Sequence, residues 1–287
     1  MDNIFFISEV SSNHSQNIDR ALKFIDHSAL IGCSAVKFQL FRVEKLFSKE
    51  VLDNSPETLQ RKKWELPTEF LPILKRQCIK KKIQFGCTPF YIDAVNELKK
   101  YVDFFKIASY ELLWDDLLIA CAKTKKPLII STGMATMDEI EHAVDVIKTN
   151  GCKNLTILHC TSAYPTPYNE ANLAAIETLR KKFNCPVGWS DHTVNPGVIN
   201  RAINKWGAEV VEFHMDLEGE GDEFNAGHCW LPNQISKVIK QVKDGLSADG
   251  DGIKKPAVSE KSDRLWRADP VDGLRPLKSL RSKLNIK

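Results

Sequence analysis

Eight short apolar runs recur along this chain, and stretches with helical periodicity separate them. The strand-like runs lie at residues 4–10, 35–41, 83–90, 104–109, 127–133, 155–163, 186–193 and 209–217. The helix-like stretches include 18–31, 69–80, 92–101, 138–149, 172–183 and 197–206. Strand alternating with helix eight times predicts a (β/α)8 TIM barrel in the α/β class, whose active site forms at the C-terminal ends of the strands.

The chain of 287 residues is long enough for this fold with a short C-terminal extension. Barrels commonly occupy roughly 250 residues as one domain. We therefore predict a catalytic barrel at residues 1–247 and an extension at 248–287, where turn residues and charges replace the helical pattern at its start.

Composition excludes several classes of function. The formal net charge of +3 is too small to favour nucleic acid or a membrane surface as a partner. The sequence has no apolar stretch near 18 residues and no signal-peptide pattern, so we expect a cytoplasmic protein. Its eight cysteines form no C-x-x-C pair, which predicts reduced, structural thiols.

Two lysines lie within the strand-like runs, where a buried charge needs a partner. Lys37 and Gln39 project to the same side of their strand, and Lys106 repeats the pattern two strands later. The partner of these lysines is either an anionic ligand or a neighbouring carboxylate in a structural ion pair. The hydroxyls of Ser131 and Thr132, with Gly133, end the fifth run and favour a cradle for phosphate and carboxylate groups.

Two histidines end neighbouring strands. His192 follows the seventh run and His214 ends the eighth, so their imidazoles should lie side by side. Carboxylates flank them at Asp191, Glu212 and Asp216. Two imidazoles with open positions for substrate oxygens suit a divalent cation.

Several segments together resemble the sialic acid (N-acetylneuraminate) synthase family. They are SEVSSNH at 8–14, VKFQ at 36–39, CTPF at 87–90, KIASYE at 106–111, ISTGM at 130–134, LHCTSAYPTPY at 158–168 and SDHT at 190–193. The resemblance runs in order from about residue 4 to 217, and it is most specific in the last two segments.

This resemblance implies a transferase of sialic acid biosynthesis. Such an enzyme condenses phosphoenolpyruvate with an open-chain N-acylated amino hexose, such as N-acetylmannosamine, to give a nine-carbon 2-keto-3-deoxy sugar acid and phosphate. It also implies a homodimer and a divalent metal, Mn²⁺ or Mg²⁺, on His192 and His214. Glu9, Gln39 and Glu111 would face the sugar and the reacting centre. The residues expected to hold phosphoenolpyruvate are Lys37, Thr88, Lys106, Ser109, Ser131, Ser162, Tyr164 and Ser190.

The resemblance is incomplete in two places. Members of the family usually carry a C-terminal antifreeze-like domain that reads the sugar of a neighbouring subunit, and we expect the barrel here to be without it. The segment 216–228 also departs from the family pattern, which leaves its carboxylates unassigned. Trp266, Arg267, Asp269 and Arg275 are candidates for covering the barrel mouth; the alternative is that Trp266 packs on the outer helices.

Three other functions remain open from the sequence. The first is a phosphoenolpyruvate-dependent synthase acting on another aldose, similar to 3-deoxy-octulosonate 8-phosphate synthase. The second is an aldolase that forms a Schiff base through Lys106. The third is a barrel that binds sugar without catalysis.

Overall fold

Eight parallel strands close into a barrel in the computed structural model, which describes residues 4–284. Each strand pairs with the next along the chain, and β1 also pairs with β8, which closes the sheet. The (β/α)8 prediction is therefore confirmed. The strands are β1 Phe5–Glu9, β2 Ala35–Leu40, β3 Gln84–Pro89, β4 Phe104–Ile107, β5 Leu128–Ser131, β6 Leu155–His159, β7 Val187–Asp191 and β8 Val210–Met215. A two-residue strand, β9 Cys229–Trp230, pairs in parallel with β8.

Helices follow the strands along the chain, and the last helix lies in the C-terminal unit. They are α1 Ile18–Leu30, α2 Val43–Leu46, α3 Lys49–Asn54, α4 Leu71–Lys81, α5 Ile92–Leu98, α6 Asp115–Lys123, α7 Met137–Thr149, α8 Ala175–Phe183, α9 Pro196–Asn204, α10 Asp222–Asn225, α11 Pro232–Ala248 and α12 Lys278–Arg281. Short 3₁₀ segments lie at Pro56–Trp64, Thr68–Phe70, Ser109–Glu111, Tyr168–Glu170, Val258–Glu260 and Asp263–Trp266.

Two of the helices that follow barrel strands were not among the predicted stretches. The first is α6, which buries Leu117, Leu118, Cys121 and Ala122 over nine residues. The second, the 17-residue α11, carries a readable signal, because it buries Ile235, Val238, Ile239 and Val242 at helical spacing. The short helices and the 3₁₀ segment between β2 and α4 were also not predicted.

The barrel interior is layered because side chains alternate along each strand. A cluster of buried apolar residues from six strands forms the floor: Ile7, Ala35, Phe104, Ile129, Leu158 and Val210. Two residues further along five of these strands stand polar side chains: Glu9, Lys37, Lys106, Ser131 and Glu212. The apolar floor thus places a ring of polar and charged groups at the C-terminal end of the barrel.

The chain divides into two compact units, one ending at Leu246 and one covering Ser247–Lys287. Within the described part of the second unit, Asp269 accepts hydrogen bonds from the backbone N–H groups of Val271 and Lys278. Arg281 makes a two-bond ion pair with Asp272. Trp266 is 54% exposed. The roles predicted for the extension at the barrel mouth stay predictions.

No helix among residues 4–284 is both long enough and apolar enough to span a lipid bilayer.

Gly188 allows the close approach of β7 to its neighbours, and replacing it with alanine should destabilise the barrel. A Cβ atom there would lie 2.1 Å from the backbone oxygen of Val210 and 2.8 Å from Leu158 Cδ2. We expect Gly188→Ala to lower the free energy of unfolding by about 3 kcal/mol, measured by urea denaturation.

Gly245→Ala is the matched control. This glycine lies within α11 with no heavy atom within 4 Å of the added Cβ, so the substitution should raise stability by about 1 kcal/mol. Equal stability of the two variants would show that the barrel does not depend on the close approach at Gly188.

Candidate active site

A cavity of about 300 Å³ opens at the C-terminal ends of the strands. Ten of the predicted site residues line it: Lys37, Gln39, Thr88, Lys106, Ser109, Ser131, Tyr164, Ser190, His192 and His214. Glu212, Glu223 and His228 line it as well. The barrel thus brings together residues that lie up to 217 positions apart in the chain, from Ser11 to His228.

Glu9 lies fully buried next to the lining residues of this cavity. Its carboxylate pairs with the ammonium of Lys37 and accepts a hydrogen bond from Gln39 Nε2 at 3.0 Å. The backbone N–H of Ser11 donates to Glu9 Oε1 at 2.9 Å. These contacts make Glu9 the partner of two predicted site residues.

Ser109 and Ser162 meet at a glycine. The backbone N–H of Gly133 donates to Ser109 Oγ at 3.0 Å. A Cβ atom on Gly133 would lie 2.2 Å from Ser162 Oγ and 2.9 Å from Ser109 Oγ. Glycine is therefore required for the two hydroxyls to come this close to the end of β5.

Each of the two lysines contacts one hydroxyl, and both lie near the same carboxylate. Lys37 Nζ donates to Thr88 Oγ1 at 3.1 Å, and Lys106 Nζ donates to Ser131 Oγ at 2.6 Å. Glu212 Oε1 lies 3.9 Å from Lys37 Nζ and 3.8 Å from Lys106 Nζ. The structure thus supplies the carboxylate partners that the ion-pair alternative requires, most directly for Lys37.

The pKa values of the two lysines move in opposite directions. Burial alone would lower the pKa of Lys37, but the charges of Glu212 and Glu9 raise it above its usual value. Burial lowers the pKa of Lys106, and Glu212 opposes this only in part. Lys37 is therefore the more firmly charged of the pair.

Both predicted metal-binding histidines are held through Nδ1. His192 Nδ1 lies 2.9 Å from the carbonyl oxygen of Thr161, and His214 Nδ1 lies 2.9 Å from Glu223 Oε2. Since both partners are acceptors, each Nδ1 carries a proton, and Nε2 is the nitrogen of each ring that can bind a cation once it is deprotonated. Within residues 4–284 neither Nε2 has a hydrogen-bond partner, and the ring centroids are 5.4 Å apart.

The pKa values of the two histidines shift in opposite directions. Burial, with a smaller effect from His214, lowers the pKa of His192 to about 3, so this ring is neutral at physiological pH. Burial opposes the charged form of His214, but the hydrogen bond and charge of Glu223 raise its pKa. A divalent cation on His214 Nε2 would therefore replace a proton.

Asp191 and Asp216 flank the histidines in the sequence, but their carboxylates accept hydrogen bonds from loop residues. Asp191 accepts hydrogen bonds from Trp189 Nε1, Thr193 N and Oγ1, Val194 N and Trp230 Nε1. Asp216 accepts from the backbone of Gly219, Glu220 and Gly221 and pairs with Arg20. These buried carboxylates fix the loops after β7 and β8.

Two site residues were missed by sequence reasoning, Glu223 and His228. Both come from the segment after β8 whose carboxylates the family pattern leaves unassigned. Ligand atoms of His214, Glu223, His228 and Cys229 lie within 4.8 Å of one another, so this cluster could also hold a metal. The available signal was the row of acidic residues and the histidine in 216–228, but no strand period fixes their positions.

Comparison with known proteins identifies the family. The model of the NeuB family matches residues 24–254. This chain belongs to the NeuB family. The resemblance found in its motifs is therefore confirmed.

Relatives in this family differ in the acid they are named for. The chain is 34% identical to N,N'-diacetyllegionaminic acid synthase of Campylobacter jejuni, over 91% of this chain and 81% of that protein. It is 31% identical to a pseudaminic acid synthase of C. jejuni, over 87% and 76%.

A solved structure supports the same placement. A crystal structure of N-acetylneuraminic acid synthetase from Leptospira borgpetersenii, in complex with citrate, superposes with a TM-score of 0.80 at 32% identity. The superposition covers 91% of this chain and 90% of that one.

Removing Lys37 should destabilise the barrel because it strands the buried Glu9 carboxylate. We expect Lys37→Met to lower the free energy of unfolding by about 3–5 kcal/mol in urea denaturation. Lys106→Met should lower it less, since its nearest carboxylate oxygen is 3.8 Å away. The double variant Glu9→Gln/Lys37→Met should recover part of the loss. Wild-type stability in Lys37→Met would mean that this lysine serves only a ligand.

Glu111 should make stability depend on pH. Burial raises the pKa of this carboxyl to about 7, and the charge of Lys106 opposes the shift only in part. The unfolded-state pKa is about 4.3, so the protonated form stabilises the fold fully below that pH. Stability is then lost as the pH rises through about 7.

The difference between wild type and Glu111→Gln isolates this effect. The free energy of unfolding of the wild type, relative to the variant, should fall between pH 4 and pH 8 in urea titrations. A difference that stays constant or rises with pH would contradict a neutral Glu111.

Proposed function

We propose that this protein condenses phosphoenolpyruvate with an open-chain N-acylated amino hexose, N-acetylmannosamine or a related sugar. The products are a nine-carbon 2-keto-3-deoxy sugar acid and phosphate. The observation that carries the proposal is the single cavity lined by two lysines, a row of hydroxyls and the histidine pair. Membership of the NeuB family supports it, as do the sialic, legionaminic and pseudaminic acids for which relatives are named.

Phosphoenolpyruvate suits the lysine side of the cavity. Its phosphate and carboxylate need cations and hydroxyl donors, which Lys37, Lys106 and Ser131 supply. Thr88, Ser109, Ser162, Tyr164 and Ser190 are assigned to the same substrate. Because Lys106 already donates to Ser131, a phosphate oxygen can join this pair without a large rearrangement.

A divalent cation, Mn²⁺ or Mg²⁺, is assigned to His192 and His214. Two free Nε2 atoms in a cavity with carboxylates fit such an ion. When bound it would polarise the sugar aldehyde as a Lewis acid. The site holds three carboxylates, Glu9, Glu212 and Glu223, and two lysines, so the ammonium groups alone do not give it the excess of positive charge that an anionic substrate needs.

The reaction then requires few groups from the chain. C3 of phosphoenolpyruvate forms a bond to the aldehyde carbon, whose oxygen becomes a hydroxyl on taking a proton. Water adds at the cationic C2 and loses one proton, then the C2–O bond to phosphate breaks. Phosphate leaves with the bonding electrons, and the remaining C2 hydroxyl loses its proton to become the keto group. Glu9, held by Gln39 and Ser11, is assigned to position that water or a sugar hydroxyl, and Glu111, as a neutral acid, is able to donate a proton.

A Schiff-base aldolase is the second candidate, because burial lowers the pKa of Lys106. Lys106 Nζ donates to Ser131 Oγ and to the carbonyl oxygen of Ile107, contacts that an amine and an ammonium can both make. The first candidate is favoured instead by the histidine pair in the same cavity and by membership of the NeuB family.

Phosphate release should require phosphoenolpyruvate, an aldose and a divalent cation together. The purified protein is incubated with phosphoenolpyruvate, Mn²⁺ or Mg²⁺, and a panel of 2-acetamido hexoses, 2,4-diacetamido hexoses and unsubstituted aldoses. We expect release only with the acetamido sugars and none after chelation. Release with unsubstituted aldoses alone would favour a different ulosonate synthase.

Borohydride treatment with pyruvate provides the control for the aldolase. We expect no adduct on Lys106 by mass spectrometry. Trapping at that residue, or turnover unchanged after chelation, would overturn the proposed chemistry.

A further inference from the structure

The carboxylate that holds His214 comes from a segment to which no role has been assigned. Glu223 lies in the four-residue α10, between β8 and β9. Its Oε2 lies 2.9 Å from His214 Nδ1. Its Oε1 accepts hydrogen bonds from Ser12 Oγ at 2.9 Å and from the Ser12 backbone N–H at 3.4 Å. Both oxygens of Glu223 are thus bound to the protein, and one is directed at the histidine.

The segment carrying Glu223 is itself fixed. The Asp216 carboxylate accepts the backbone N–H groups of Gly219, Glu220 and Gly221, and Arg20 Nη2 lies 2.9 Å from Asp216 Oδ1. At its other end, β9 pairs with β8 so that Cys229 lies opposite His214. Glu223 therefore approaches His214 from a loop anchored on both sides.

Both histidines are held through Nδ1, but by different acceptors. His192 is held through Nδ1 by a carbonyl oxygen of the neighbouring loop, and His214 through Nδ1 by Glu223. Each arrangement leaves Nε2 as the free nitrogen. A carboxylate on the far nitrogen of a metal-binding histidine fixes the tautomer and makes the ring a better ligand.

We propose that Glu223 is a positioning residue for His214: it holds the imidazole so that Nε2 faces the cavity and thereby sets the affinity of this chain for its divalent cation. The inference rests on the proposed function only for what the cation does in catalysis. Its test needs neither substrate nor turnover, so the two can fail separately.

The competing arrangement is direct ligation by the cluster of His214, Glu223, His228 and Cys229. It has some support, since His228 is buried, its Nδ1 has no hydrogen-bond partner among residues 4–284, and its Nε2 lies 3.6 Å from Glu223 Oε2. However, a cation between these groups would have to displace the proton that His214 Nδ1 shares with Glu223. It would also leave His192, whose Nδ1 is already occupied, without a role.

Nitrogen NMR of ¹⁵N-histidine-labelled protein, with and without Zn²⁺ as a diamagnetic probe, identifies the coordinating atoms. We expect only the Nε2 signals of His192 and His214 to move on binding, while both Nδ1 atoms keep their protons. Coordination through His214 Nδ1 would overturn the proposal.

Affinity for Mn²⁺ and Co²⁺, measured by calorimetry, tests the role of the carboxylate. Glu223→Ala should weaken the dissociation constant by about 10–100-fold. Glu223→Gln, which keeps an acceptor without the charge, should weaken it less. His192→Gln and His214→Gln should each weaken binding more than either Glu223 variant.

Matched controls separate positioning from general damage to the loop. Glu220→Ala removes an exposed carboxylate from the same loop and should leave the affinity and the melting temperature unchanged. Cys229→Ser should also leave the affinity unchanged. If Glu220→Ala weakens binding as much as Glu223→Ala, or if His228→Gln abolishes binding while His192→Gln does not, Glu223 does not act as proposed.

Discussion

Closure of the sheet between its first and last strands is the constraint on which the rest of this structure depends. The β1–β8 pairing places Glu9 opposite His214, and the β1–β2 pairing places the same Glu9 opposite Lys37. A carboxylate near the start of the chain thus joins a lysine from the second strand and lies in register with a histidine from the eighth. Without closure Glu9 and His214 would lie far apart, on the first and eighth strands of an open sheet.

The structure also depends on the alternation of side chains between the two faces of each strand. A floor of apolar side chains fills the barrel interior. The next inward-facing residues along the strands carry charged groups, and these are buried from water. Such charges persist only when they are paired, and Glu212 lies near the ammonium groups of both Lys37 and Lys106. This arrangement holds both ammonium groups at the wall of the cavity.

The β8–β9 segment shows how a short irregular stretch can be made rigid. Its backbone N–H groups converge on the buried Asp216, and β9 adds two residues to the edge of β8. Trp230 in β9 donates to Asp191 at the end of β7, which connects this segment to the loop that carries His192. Both histidine-bearing strand ends are therefore stabilised by one network.

The sequence by itself determined the barrel and most of the residues around its cavity. The period of strand and helix is a local property of the chain, and strand alternation fixes which side chains face inward, so Lys37, Lys106, His192 and His214 could be brought together before any coordinates. Tertiary structure decided which groups these side chains contact. Glu212 near two lysines, Asp191 and Asp216 as loop anchors, and Glu223 on His214 all depend on distances between segments far apart in sequence or in irregular loops. No periodic pattern encodes those distances, because they follow from closure of the sheet and from the path of a loop that only its packing and hydrogen bonds define.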